Sequence, residues 1–189
     1  TEPLLLIGPR GIEKVVTSLC VIAPELPFSI QFMEITEKEQ QFFFDGFRIE
    51  TFRVNHNVTC YGYSIVVDRA GIFDIEKANS YNIDKKYWSR LQKGESIETS
   101  DGLLTPKMVL GEPRKGLKVT YCTDTRPTDL ITSHAVQSDL FICEGMYGEP
   151  DKLDRAKAYK HMTFYEAAGI AKKAKVTKLW LTHYSPSLT

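Results

Sequence analysis

Leu117-Lys118-Val119-Thr120-Tyr121-Cys122-Thr123-Asp124-Thr125-Arg126-Pro127 is the stretch that decides the fold class. It opens as a strand-like run and ends at a carboxylate in turn-forming company. A helical pattern follows over about 128–136, and then a second apolar strand from Leu140 to Cys143. Strands alternating with helices in this way indicate an α/β layer structure. The alternation extends outward on both sides. Upstream, Leu4 to Ile7 reads as a short buried strand that turns at Gly8-Pro9-Arg10-Gly11 into a helix through about Cys20, and Phe28 to Ile35 reads as another strand. Phe42-Phe43-Phe44 and Phe47 to Val54 flank Asp45-Gly46, a two-residue hairpin signal, and Tyr61 to Val67 continues as a strand. Downstream, Thr163-Phe164-Tyr165-Glu166 has capping-box spacing for a helix to about Ala174, and Lys178 to Thr182 is a last apolar strand.

The middle of the chain has another character, which divides it into residues 1–67, 68–116 and 117–189. Within 68–116, Asp74 is placed to cap a short helix through Tyr81, and Lys85 to Lys93 is a second helical stretch. Polar turns such as Ser100-Asp101-Gly102 follow, and Gly111 to Gly116 closes the segment. It reads as an inserted arm. Its basic and aromatic residues Lys85, Lys86, Tyr87, Trp88, Arg90 and Lys93 suit nucleic acid, and equally a solvated helical hairpin with Trp88 packed beneath it.

Composition narrows the function classes. The 189 residues carry 24 Lys plus Arg against 24 Asp plus Glu, which argues against holding nucleic acid by diffuse charge alone. An RNA ligand needs local basic patches. Cys20, Cys60, Cys122 and Cys143 are scattered without a Cys-x-x-Cys pair, as expected of reduced, buried thiols in a cytoplasmic protein. No apolar run approaches the ~20 residues of a membrane span. The start at Thr1 has neither an initiator Met nor a basic leader, so the chain is expected to begin inside a longer gene product.

Four strand-like runs end at a residue able to bind metal or move a proton: Val54-Asn55-His56, Tyr121-Cys122-Thr123-Asp124, Ile142-Cys143-Glu144 and Trp180-Leu181-Thr182-His183. In layered α/β proteins the carboxyl ends of strands converge on one edge, where the sheet holds their loops rigid. Two imidazoles and a carboxylate on such an edge suit a Zn²⁺-type site. Each residue also has a plain structural reading: Asp124 as turn chemistry, Glu144 as a turn cap, either histidine as a hydrogen-bonded strand end. His134, inside a helical pattern, reads as a surface or packing residue.

Taken in order, Gly8-Pro9-Arg10-Gly11-Ile12, Asn55-His56, Tyr61-Gly62-Tyr63, Thr123 to Pro127, Glu144-Gly145, Lys160-His161-Met162-Thr163 and Leu181 to Ser185 resemble the ribonuclease Z family over essentially the whole chain. That resemblance implies the metallo-β-lactamase fold, a sandwich of two mixed sheets flanked by helices, incomplete here at the N-terminus and at the C-terminus. It implies two divalent metals, zinc first and manganese as the other candidate, with His56 on one, His183 on the other and Asp124 bridging. It makes His161 a proton donor or transition-state stabiliser at the scissile phosphate, oriented by Glu144. Thr163 and Ser185 beside the site, and Lys85, Lys86 and Arg90 in the arm, become expected substrate contacts. The implied reaction is attack of a metal-activated water on the phosphodiester at the 3′ trailer of precursor tRNA, in a homodimer with no membrane association.

The departures from that pattern carry expectations of their own. The family's His-x-His-x-Asp-His segment, source of most other ligands, has no counterpart among His56, His134, His161 and His183. The chain by itself is therefore expected to bind one metal or none, to be inactive, and to be weakly stable unless it dimerises. Cys143, Gly145-Met146 and Met162 replace residues usual in relatives, and Ser187 stands where many carry an arginine. Two other functions stay open: a small-molecule zinc phosphodiesterase or another hydrolase on the same fold, or a non-catalytic remnant that binds RNA or a partner chain.

Overall fold

The computed structural model describes residues 2–23 and 25–186. The chain forms two compact units, Thr1–Val66 with Lys118–Thr189, and Val67–Leu117. In the first, β1 (Leu4–Pro9) pairs in parallel with β2 (Ile30–Ile35), with α1 (Ile12–Leu19) between them in sequence. Gly11 takes a left-handed φ of 91° to turn β1 into α1, and its N–H donates to Glu34 Oε1 at 2.6 Å. No residue of α1 is buried; Val15 and Leu19 lie exposed, as do Val21 and Ile22 just beyond it.

The larger sheet has the order β10-β9-β8-β5-β4-β3. Its members are β3 (Glu39–Phe44), β4 (Phe47–Arg53), β5 (Tyr61–Arg69), β8 (Arg114–Cys122), β9 (Leu140–Glu144) and β10 (Leu179–Thr182). The sheet is mixed. β3, β4 and β5 form an antiparallel meander with the hairpin at Asp45-Gly46, whereas β8, β9 and β10 run parallel through α4 (Asp129–Ala135) and α6 (Phe164–Ala174). On α6, Ala167, Ile170, Ala171 and Ala174 recur at the helical period and are buried in a core with Phe52, Ile131, Phe141 and Met162. Ser64, Thr120 and Ser138 join buried hydroxyls at 2.8 Å each, so the polar atoms at the sheet centre are satisfied.

Within the second unit lie α2 (Ile75–Ser80), α3 (Trp88–Gln92) and a hairpin of β6 (Ile97–Thr99) with β7 (Gly102–Leu104). Asp74 caps α2 by accepting the Lys77 N–H at 3.0 Å. Ala78, Ile83, Leu91, Ile97 and Val109 form its own core, and Trp88 packs at the edge while Nε1 donates to Ile83 O at 2.9 Å. Two features differ from the sequence reading. The polar turn at Ser100-Asp101 is flanked by paired strands of three residues, too short to show a period. A further helix, α5 (Leu153–Tyr159), buries only Ala156 and so leaves no amphipathic stripe to read. The cysteines are free as expected, but Cys20 and Cys60 are only partly buried. Among the described residues no helix is long and apolar enough to cross a membrane.

Candidate metal centre

Four strand ends bring their polar residues together because β8, β9 and β10 are parallel, which puts their carboxyl ends on one edge. Asp124 follows β8, Glu144 is the last residue of β9, and His183 follows β10. His56, three residues beyond β4, is tied to the same edge by backbone. The Arg126 N–H donates to Asn55 O at 3.0 Å, and the Asn55 N–H donates to Thr125 Oγ1 at 3.0 Å.

His56 and His183 converge on one carboxylate oxygen. Asp124 Oδ1 lies 3.9 Å from His56 Nε2 and 3.6 Å from His183 Nε2. Asp124 and His183 both hold left-handed backbone, with φ of 52° and 58°. Such conformations cost energy outside glycine and persist where the surroundings impose them. His56 Nδ1 sits 3.3 Å from Lys160 O, which as acceptor fixes the tautomer that leaves Nε2 free. Lys160 Nζ returns a bond to His56 O at 3.2 Å.

His161 follows the left-handed Lys160 that ends α5, and its backbone N–H donates to Ala156 O at 2.8 Å. Its Nδ1 meets Glu144 Oε2 at 2.9 Å. Glu144 is fully buried, and its Oε1 accepts the Thr125 N–H at 2.5 Å. Burial pushes this carboxyl up to about 7, with the Thr125 and Met162 N–H groups pulling the other way. Burial also holds the His161 imidazole below its usual value, and Asp124 opposes that. Arg126, assigned no role from sequence, donates to His161 O at 2.5 Å and to Glu166 Oε2 at 3.0 Å, tying the His161 loop to the start of α6. Its place inside the Thr123-to-Pro127 motif was the one available signal.

The donor set fits a divalent cation. His56, Asp124 and His161 offer ligand atoms within 4.8 Å of one another, as do Glu144, His161 and His183. Ligands held ~2.0–2.2 Å from zinc stand roughly 3.4 Å apart in a tetrahedral shell, near the separations at Asp124 Oδ1. His183 Nδ1 is buried with no hydrogen-bond partner among the described residues and faces Glu144 Oε2 at 3.6 Å, while its Nε2 points to Asp124.

The other expected residues sit differently. Thr163 is 3% exposed, and its hydroxyl is the N-cap of α6, accepting the Glu166 N–H at 3.3 Å. Ser185 is also buried, its N–H donating to Met146 O at 3.0 Å. In the second unit Lys86 pairs with Asp84 at 3.3 Å and Arg90 with Glu95 at 2.7 Å, while Lys85 lies over the Trp88 ring at 5.8 Å. His134 is a packing residue, stacked on Phe52 at 4.4 Å and 2.8 Å from Glu39. Ser187 lies outside the described residues.

No family model matches the chain. Among curated proteins it is 56% identical over 188 residues to Ribonuclease Z of Agathobacter rectalis, covering 100% of this chain and 62% of that protein. It is 52% identical over 188 residues to Ribonuclease Z of Clostridium kluyveri, with 99% and 62% covered. Among solved structures it superposes on human tRNase Z, short form, at TM-score 0.64 and 20% identity, covering 98% of this chain and 62% of that one. Zn²⁺-bound PqqB from Methylobacterium extorquens gives TM-score 0.51 at 14% identity, with 97% and 51% covered. The fold is the metallo-β-lactamase fold. The chain spans about 62% of the length of the curated relatives it matches.

Proposed function

From the premise that this chain is homologous along its whole length to the ribonuclease Z family, we propose that it forms part of a metal-dependent endoribonuclease that removes the 3′ trailer of precursor tRNA. The observation that carries the reading is the convergence of His56 Nε2 and His183 Nε2 on Asp124 Oδ1, with the His161–Glu144 pair beside them.

His56, Asp124 and His183 are the residues that would hold metal, with Asp124 shared. The imidazole donors suit zinc, and the carboxylate makes manganese the other candidate. When bound, divalent ions acidify a coordinated water and stabilise charge on the phosphodiester. The rest is done by this chain's side chains. Glu144 Oε2 accepts a hydrogen bond from His161 Nδ1–H, which fixes the ring with Nε2 toward the substrate. There His161, in its doubly protonated form, steadies charge on the phosphate or hands its Nε2 proton to the leaving ribose 3′ oxygen and returns to the neutral Nδ1–H tautomer. Residues 68–116 serve as an arm that grips the tRNA body, with Lys85 beside the Trp88 ring as one cationic contact and Lys86 and Arg90 reaching RNA by exchanging their carboxylate partners. The protein works as a cytoplasmic homodimer, which would cover the exposed apolar residues of α1.

The test is cleavage of 5′-labelled precursor tRNA by the full-length gene product with Zn²⁺ or Mn²⁺, beside H161A and D124A variants. Trimming at the trailer that both variants abolish supports the reading, and no trimming by the unsubstituted protein ends it. A small-molecule phosphodiesterase is the second reading, favoured by the internal pairing of Lys86 and Arg90 and by the zero net charge. It requires fast hydrolysis of small phosphodiesters with tRNA left intact.

A further inference from the structure

Beside His56 lies a charge arrangement that the metal centre does not use. A cavity of about 460 Å³ opens there, lined by Lys38, Arg53, Asn55, His56, Thr128 and Asp129 among others. Lys38 precedes β3 and Arg53 ends β4. The Arg53 N–H donates to Lys38 O at 2.8 Å, and the Glu39↔Phe52 register continues to set the two residues opposite each other. Like charges placed opposite across antiparallel strands repel. Among the described residues neither has a carboxylate within ion-pair distance; Arg53 lies instead over the Tyr61 ring at 5.8 Å. Asp129, the carboxylate on the wall, leaves one positive charge uncompensated. Thr128 Oγ1 caps α4 by accepting the Ile131 N–H at 3.3 Å and keeps its own proton to donate. Two cations, a hydroxyl and the Asn55 amide around a solvent-open cavity are suited to a tetrahedral oxyanion.

We propose that this cavity is a phosphate-binding subsite for the nucleotide next to the cleaved bond, with Lys38 and Arg53 as its cationic contacts. The assignment rests on the phosphodiesterase reading above, because His56 belongs both to the cavity and to the candidate metal centre. Arg53 and Lys38 act there as binding residues that fix the register of the RNA strand.

The experiment uses the full-length gene product, K38A/R53A and D129N, with two probes. Precursor tRNA binding is followed by fluorescence anisotropy in chelator across a salt series. Inorganic phosphate binding is followed by the NMR shift of the Arg53 Nε–H resonance. K38A/R53A is expected to bind precursor tRNA about tenfold more weakly, with the slope of log affinity against log salt reduced by about 1. D129N is expected to bind it more tightly, an effect that simple loss of fold does not produce. Binding with unchanged affinity and slope in K38A/R53A overturns the subsite and leaves the nuclease reading standing, as does weaker binding by D129N. Phosphate shifting Arg53 in a protein that ignores precursor tRNA keeps the subsite and removes the tRNA reading. Silence from both probes overturns both.

Discussion

Glu144 does two things from one buried carboxylate: Oε2 orients His161, and Oε1 holds the loop of Asp124 through the Thr125 N–H. Glu144→Gln keeps the shape but turns an amide N–H₂ toward one of these donors. It is expected to lower the turnover of precursor tRNA by about 10²–10⁴ through loss of the imidazole tautomer. Leaving a buried donor unpaired should also cost about 1–3 kcal/mol, read from single-turnover cleavage and from denaturant melts. Glu166 gives the pH prediction. Burial pushes its carboxyl up, but bonds from Arg126 and Thr163 outweigh burial and hold it below the usual range. A carboxylate depressed in the folded state adds stability that is complete above its unfolded pKa of about 4.3 and lost as pH falls through the folded value. Glu166→Gln should therefore flatten the acid limb of melting temperature against pH and lower the plateau above it; an acid limb identical to the parent's would refute this. At this scale the sequence displayed the strand-end residues, and the resemblance supplied His161. What it could not display were Lys160 and Arg126, whose partners lie 104 and 35 or more residues away.

Among the elements, β5 shows why a strand carries a glycine. A Cβ on Gly62 would stand 2.3 Å from the Phe52 ring, its register partner on β4, and that ring is fully buried and stacked on His134. Gly62→Ala is expected to destabilise the protein by about 1–3 kcal/mol through overpacking, measured by chemical denaturation. Thr163→Ala should cost about 1 kcal/mol by uncapping α6, with the salt dependence of RNA binding unchanged, since the hydroxyl serves the helix. Elements with a strong local signal were legible: the Asp45-Gly46 hairpin, the Asp74 cap, the Thr163–Glu166 box. Those without one, α5 and the β6–β7 hairpin, depend on contacts that no short window contains.

At the level of the molecule, the proposed function would divide chemistry and grip between the two compact units. Replacing Val67–Leu117 by a short Gly/Ser turn should leave the first unit folded, because β5 and β8 are neighbours in its sheet. In the full-length protein that replacement is expected to lower kcat/KM for precursor tRNA by on the order of 10² while sparing hydrolysis of a small phosphodiester, as loss of one of two linked binding modules does. Equal loss on both substrates would refute the arm as a grip. The amino-acid sequence by itself determined the α/β alternation, the caps and turns, and the residues at the strand ends, because each depends on chemistry within a few neighbours. Only the tertiary structure decided that His56 and His183 converge on one oxygen of Asp124, that Arg126 ties the His161 loop to the start of α6, and that Lys38 and Arg53 lie opposite each other with no carboxylate in ion-pair distance among the described residues. Those outcomes follow from strand order and register, which are set by burial summed over the whole core rather than by any one segment.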